Sequence, residues 1–191
     1  MKFTQNYYAH SSIFAKSSKE DLWAFYRAFI ENVPYSLDEL FGLIWKTEGF
    51  SKWPASFHEN SLPALGEWMK SALQILSPEG MLLPSPKSPE WQGLKTSAWD
   101  FSDRSREMIV AVGMYYGEIM VRNNPGVTWV HLLENKKSAD FGQPVIGGEV
   151  RRIINPVRVA TSFSFGIVDG SESSDGLLLA YRFWRDNLLK S

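Results

Sequence analysis

The chain has 191 residues, of which 44% are hydrophobic and 21% are charged, a composition typical of a single globular domain. It contains no cysteine, which excludes disulfide bonds, thiolate nucleophiles and cysteine-ligated zinc. Its formal net charge of −1 provides no general attraction to nucleic acid or to an anionic membrane, so we expect neither as a partner.

The start of the chain and its most apolar stretch predict a cytoplasmic protein. Residues 2–8 lack the apolar core of a signal peptide. Residues 108–117 are the most apolar stretch, but they fall short of the roughly 18 apolar residues that a membrane-spanning helix needs. The lack of cysteine also suits a reducing compartment.

The first half of the chain predicts helices. Ser18 is suited to cap a first helix, and Pro34 is expected to end it because the residue before a proline avoids the helical region. Ser36 and Glu39 form a capping box, which predicts that a second helix begins there and stops near Gly49. The other expected elements are a helix at 62–76, a proline-rich surface loop at 78–89, a helix at 103–122, strands at 127–133, 141–146 and 149–154, and helices at 156–167 and 177–189.

Two features of this pattern define the predicted architecture. The helix at 103–122 is apolar on nearly all sides, which indicates a buried central helix. Gly147 and Gly148 are expected to form the hairpin turn between two strands of a small antiparallel sheet. We therefore predict one α+β domain over residues 1–191, with N-terminal helices, a central buried helix, a sheet of about three strands and two C-terminal helices.

The sequence contains no recognisable catalytic motif, and we predict no catalytic residue, metal or cofactor. His10, His58 and His131 are far apart and form no metal-binding pair. No serine nucleophile elbow or phosphate-binding loop is present. The loop at 169–176 carries oxygen side chains at alternate positions, as a calcium loop does, but Ser174 and Ala180 replace the required glycine and glutamate. The sequence leaves open whether folding assembles a pair of catalytic carboxylates or a metal site with different ligand types.

Tryptophan and arginine provide the candidate partner-binding residues. The chain has eight tryptophans, three of which lie in loop-like stretches and are expected to be exposed. Most arginines lie in the second half, where their forked donors suit a partner's carboxylates. The partner-binding candidates are Trp53, Trp91, Trp99, Arg151 and Arg152.

One block of motifs resembles a pattern in small uncharacterised bacterial proteins. It consists of G-E-x-x-x-R-N at 117–123, a G-x-x-W segment, then Pro144-Val145 and an Asn-Pro pair, and the resemblance covers residues 104–160. Some proteins of this kind resemble immunity proteins, so the resemblance implies a protein that binds and neutralises a toxin domain. Each position also has a structural interpretation: Glu118–Arg122 as a helix ion pair, Gly126 as a turn, Trp129 as core, Asn155 and Pro156 as a helix cap.

The sequence therefore favours a bacterial cytoplasmic binding protein. The more specific hypothesis is an immunity protein that neutralises a toxin by direct binding. An enzyme of unfamiliar type is the first alternative, with a carboxylate, arginine and histidine site near the central helix and sheet. It would bring Glu118, Arg122 or His131 into one concave pocket. A structural subunit of an assembly is the second alternative, and it would require a broad exposed apolar patch.

Overall fold

A computed structural model describes Tyr7 and residues 14–84, 99–149 and 152–189 of the chain. In this part of the chain the α-helices are α1 Lys19–Lys46, α2 Leu62–Ala72, α3 Asp103–Asn123, α4 Pro156–Asp169 and α5 Gly176–Leu189. The strands are β1 Ile75–Leu76, β2 Asp100–Phe101, β3 Val127–His131 and β4 Pro144–Gly148, and 3₁₀ turns occur at Phe14–Lys16 and Glu59–Ser61. This mixture of helices and antiparallel strands confirms the predicted α+β class.

Helix α1 is continuous, so the prediction that Pro34 separates two helices is wrong. Proline cannot donate to the carbonyl of Ile30, which costs the helix one backbone hydrogen bond. Val33 and Leu37 are both buried and belong to one stripe that runs along the whole helix. Burial of that stripe outweighs the lost bond. Ser36, the expected cap, is instead a buried residue inside the helix.

Helix α3 is the centre of the core, as its all-round apolar character predicts. Tyr115 and Tyr116 are fully buried on it, together with most of its aliphatic residues. Gly113 permits the close approach of α4, because a Cβ atom there would lie only 2.6 Å from the Cα of Val157. Helix α4 begins where the Asn155 side chain accepts a hydrogen bond from the backbone N–H of Arg158, 3.1 Å away, which confirms the predicted cap.

Where a three-stranded sheet is predicted, the described residues form a two-stranded antiparallel sheet with one additional bridge. Strands β3 and β4 are antiparallel and pair Trp129 with Ile146. Of the expected third strand at 149–154, residues 150 and 151 lie outside the described part of the chain, and the described residues form one bridge, between Ile146 and Ile154. Gly147 and Gly148 belong to β4 and pair with β3, so their prediction as the turn is also wrong. Gly147 has no room for a side chain, because a Cβ atom there would lie only 2.8 Å from the Cγ2 of Val130.

A second small sheet pairs β1 with β2 and was not predicted. The helix expected at 62–76 ends at Ala72, and the chain then becomes extended. A tertiary contact explains the change. The backbone N–H of Gln74 donates to the Ser105 Oγ at 2.7 Å, and that hydroxyl donates back to the Gln74 carbonyl at 2.9 Å. These bonds fasten the segment to the first turn of α3.

The proline-rich loop contains no helix over residues 78–84, and its remaining predicted residues, 85–89, lie outside the described part of the chain. Helix α5 packs on α2 and α4. Ion pairs from Arg182 and Arg185 to Glu59, at 3.1 and 2.8 Å, also connect it to the 3₁₀ turn at Glu59–Ser61. Within the described ranges, no helix combines the length and the apolarity needed to cross a membrane.

Candidate binding groove beside the central helix

An open groove of about 400 Å³ lies between α1, α3 and β3. Three charged side chains, those of Asp38, Glu118 and Arg122, contribute to an otherwise apolar lining. The apolar and proline residues of the wall are Ile30, Val33, Pro34, Leu37, Phe41, Phe57 and Trp129. We call this cavity the α1–α3 groove. Its volume falls within the usual range of ligand pockets.

Trp129 and Glu118 are joined by a hydrogen bond in the wall of the groove. The indole Nε1–H donates to the Glu118 Oε1 at 3.0 Å. Gly117 makes this contact possible, because a Cβ atom there would lie 2.3 Å from Cζ2 of the indole. Pro156 also approaches this glycine, with its Cγ 3.2 Å from the same Cβ position. Two motif segments that are distant in the sequence therefore meet at one glycine of α3.

Arg122 is held in a defined orientation by two contacts. Its Nε–H donates to the Glu118 Oε2 at 3.0 Å, and its Cζ lies 3.6 Å from the centre of the Phe57 ring. The predicted helix ion pair is therefore present. The Arg122 side chain is 50% exposed, compared with 15% for Glu118. Its two Nη groups have no hydrogen-bond partner among the described residues, so they can serve a ligand.

Phe57 supports the guanidinium from a strained backbone conformation. Its φ of 50° lies in the left-handed region, which a bulky residue rarely adopts. The Asn123 Nδ2 donates to the Phe57 carbonyl at 2.7 Å, and the Phe57 ring contacts Tyr115 with ring centres 5.3 Å apart. Strain of this kind persists only where the surroundings impose it, and it is concentrated at functional sites.

A buried polar network lies behind Phe57. The hydroxyls of Ser61 and Tyr115 are 2.7 Å apart, and the Trp53 Nε1–H donates to the Ser61 carbonyl at 3.1 Å. Burial raises the pKa of Tyr115 despite this hydrogen bond. Tyr115 is therefore a neutral packing and hydrogen-bonding residue that supports the groove from inside.

His131 is not among the residues that line the groove. Its ring stacks on Tyr26 with the centres 4.8 Å apart, and its Nε2 lies 3.2 Å from the Gly142 carbonyl oxygen. Burial lowers the pKa of His131, and its buried Nδ1 has no hydrogen-bond partner in the described structure. The structure thus brings Glu118 and Arg122 together and leaves His131 outside the groove, two residues beyond Trp129 on the same face of β3.

The expectation that Trp53 and Trp99 are exposed is wrong. Their exposed fractions are 5% and 6%, because both rings pack into the core: Trp53 beside Tyr115, and Trp99 against Phe165. Neither can be a surface anchor. Trp91 and Arg151 lie outside the described residues, and Arg152 is exposed but does not line the groove.

Three of the remaining motif positions, Gly126, Asn155 and Pro156, have the structural roles that the sequence predicts for them. Gly126 adopts a φ of 78° in the turn before β3. Asn155 caps α4, and Pro156 occupies its first turn. Trp129 differs from its prediction as core, since it is partly buried and forms part of the groove wall. Sequence reasoning missed Phe57 and Pro34 as groove residues, and no local pattern distinguishes them from ordinary loop and helix positions.

The described residues include no group of three or more histidine, aspartate and glutamate side chains placed to hold a metal ion. Comparison of the chain with protein-family models, curated proteins and solved structures found no match. The geometry of the groove is therefore the basis for any functional argument.

Proposed function

We propose that the protein is a bacterial, cytoplasmic binding protein that engages another protein through the α1–α3 groove, as an inhibitor of the toxin-immunity type. The observation that carries this proposal is the guanidinium of Arg122, held by Glu118 and Phe57 with its Nη groups available at an apolar groove. The resemblance adds support, because its positions 117, 118, 122 and 129 are adjacent in space there.

The guanidinium of Arg122 favours a partner that presents a carboxylate beside an apolar side chain. A guanidinium offers paired N–H donors that match a carboxylate. Both carboxylate oxygens of Glu118 already accept bonds, from Trp129 and Arg122, so this group needs no additional donor. Leu37 and Phe41 provide an apolar surface for the rest of the inserted side chain.

The rigidity of the site also supports a binding role. An arginine side chain normally loses conformational freedom when it binds a partner. The side chain of Arg122 is already restricted by its ion pair with Glu118 and by the Phe57 ring. Binding sites that are ordered in advance avoid part of the entropic cost of association. Arginine residues in such positions are frequent hot spots, where truncation costs about 2 kcal/mol or more.

The direct test uses the product of the neighbouring gene. We expect that product to be toxic when it is expressed alone, and we expect co-expression of this chain to rescue growth. Titration calorimetry with the purified pair should give a defined complex. Arg122→Ala should weaken it by about 30-fold or more, as the loss of a hot-spot contact predicts.

Arg104→Ala is the matched control, because Arg104 is an exposed arginine of the same helix that does not line the groove. It should bind with wild-type affinity. A non-toxic neighbour that forms no complex would contradict the proposed function. Equal losses in the two arginine variants would contradict the proposed binding surface.

A further inference from the structure

A second cavity, of about 430 Å³, lies between α4, α5 and the segment that leads into α4. It shares no lining residue with the α1–α3 groove. Its apolar wall includes Ile153, Val159, Phe163 and Trp184. We call it the α4–α5 pocket. Two aromatic side chains in this wall are suited to contact the stem or the charged group of an organic cation.

Three charged side chains line the α4–α5 pocket, and two of them neutralise each other. The Asp140 Oδ1 lies 2.8 Å from the Arg158 Nη2 and accepts a further hydrogen bond from the Asn155 Nδ2, also at 2.8 Å. Glu172, the third, forms no ion pair with any described residue. The pocket therefore has one uncompensated negative charge beside its apolar wall.

The Glu172 side chain is positioned by two glycines. A Cβ atom on Gly166 would lie 2.2 Å from the Glu172 Cγ, and one on Gly176 would lie 2.5 Å from its Oε2. The Glu172 backbone N–H also donates to the Gly166 carbonyl at 3.0 Å. Glu172 is exposed, and a Cβ atom at either position would force its side chain to shift, so the two glycines allow the carboxylate to lie between α4 and α5.

We propose that the α4–α5 pocket binds a small primary amine on an apolar stem, whose ammonium pairs with Glu172 while the stem contacts Val159, Phe163 and Trp184. Charge complementarity selects this class over an anion, which would meet an unpaired carboxylate. The apolar wall selects it over a small hydrated cation, because it offers few oxygen ligands. Amine binding in this pocket is independent of the function proposed for the α1–α3 groove, since the two cavities share no lining residue.

A structural role for Glu172 is the competing explanation, because its carboxylate lies at the first residue of α5 and can interact with the helix dipole. The two explanations differ in what Glu172→Gln changes. A purely structural role predicts a lower melting temperature with no effect on ligand selectivity. The amine site predicts a change in selectivity.

The experiment measures binding of phenethylamine and of phenethyl alcohol to the full chain by titration calorimetry. These two probes share a stem and differ in charge. We expect the amine to bind about tenfold more tightly than the alcohol, from one charge-assisted contact in a partly exposed site. Glu172→Gln should abolish this preference. Glu134→Gln, a change of an exposed glutamate outside the pocket, should retain it.

Ser162→Trp provides a second test that leaves Glu172 intact. Ser162 is exposed on the pocket wall, so the larger side chain should fill the cavity and abolish binding of both probes. Equal affinity for amine and alcohol in the wild type overturns the proposal. So does an amine preference that survives in Glu172→Gln, or amine binding that is unaffected in Ser162→Trp.

Discussion

Replacement of Gly117 by alanine tests the contact between α3 and β3 that builds the groove wall. The added Cβ would lie 2.3 Å from Cζ2 and 2.4 Å from Cη2 of Trp129, far inside normal contact distance. The indole must therefore move away from α3. Its hydrogen bond to Glu118 is then lost or distorted.

Three contributions determine the size of the effect. Overpacking of this kind costs about 1–3 kcal/mol. Loss of the partly exposed hydrogen bond between Trp129 and Glu118 adds about 1 kcal/mol. Alanine recovers about 0.5–1 kcal/mol relative to glycine within a helix. We therefore expect Gly117→Ala to lower the free energy of unfolding by about 1–3 kcal/mol, which corresponds to a decrease of roughly 3–10 °C in melting temperature for a chain of this length.

Gly42→Ala is the matched control, since Gly42 is also within a helix but has nothing within 4 Å of its added Cβ. This variant should gain about 0.5–1 kcal/mol from helix propensity alone. Urea unfolding followed by circular dichroism measures both changes. If Gly117→Ala is as stable as Gly42→Ala, the indole does not lie against α3 and our account of the groove is wrong.

Two further predictions concern tyrosines buried in the core and the partly buried His131. Tyr116→Phe should leave stability unchanged or raise it by up to about 1 kcal/mol, because the buried Tyr116 hydroxyl has no hydrogen-bond partner among the described residues. Tyr115→Phe removes the bond to Ser61 and should cost about 1 kcal/mol, so equal unfolding midpoints for the two variants would contradict this assignment. For His131, burial lowers the pKa in the folded protein, so the unfolded chain binds the proton more tightly. The free energy of unfolding should therefore decrease as the pH falls below about 6.5, and a pH titration of urea midpoints should show this dependence weakened in His131→Gln. An unchanged pH dependence in that variant would contradict a lowered pKa of His131 in the folded protein.

The elements that the sequence predicts correctly depend on contacts between residues close in the chain. Ser18 accepts from the backbone N–H of Asp21, and Asn155 accepts from that of Arg158, so each cap is encoded within three residues. The ion pair of Glu118 and Arg122 is likewise local. The all-round apolar run of α3 indicates burial without any knowledge of its neighbours.

The errors arise where a distant contact overrides a local preference. Pro34 is a helix breaker by its own chemistry, but the buried stripe on both sides of it keeps α1 continuous. Trp53 and Trp99 lie in irregular segments, yet each indole packs against a helix that is remote in sequence. Exposure depends on what covers a residue, and local composition does not contain that information.

The amino-acid sequence by itself determined the α+β class, the central helix and the helix caps, because these follow from hydrophobic periodicity and from hydrogen bonds that span three or four residues. The tertiary structure alone decided that Trp129, Glu118, Arg122 and Phe57 form one groove. The bond between Trp129 and Glu118 joins residues 11 positions apart, and the bond that holds Phe57 to Asn123 spans 66. Such a site exists only after the core has packed, since contacts of α3 with β3 and with Phe57 bring these side chains together.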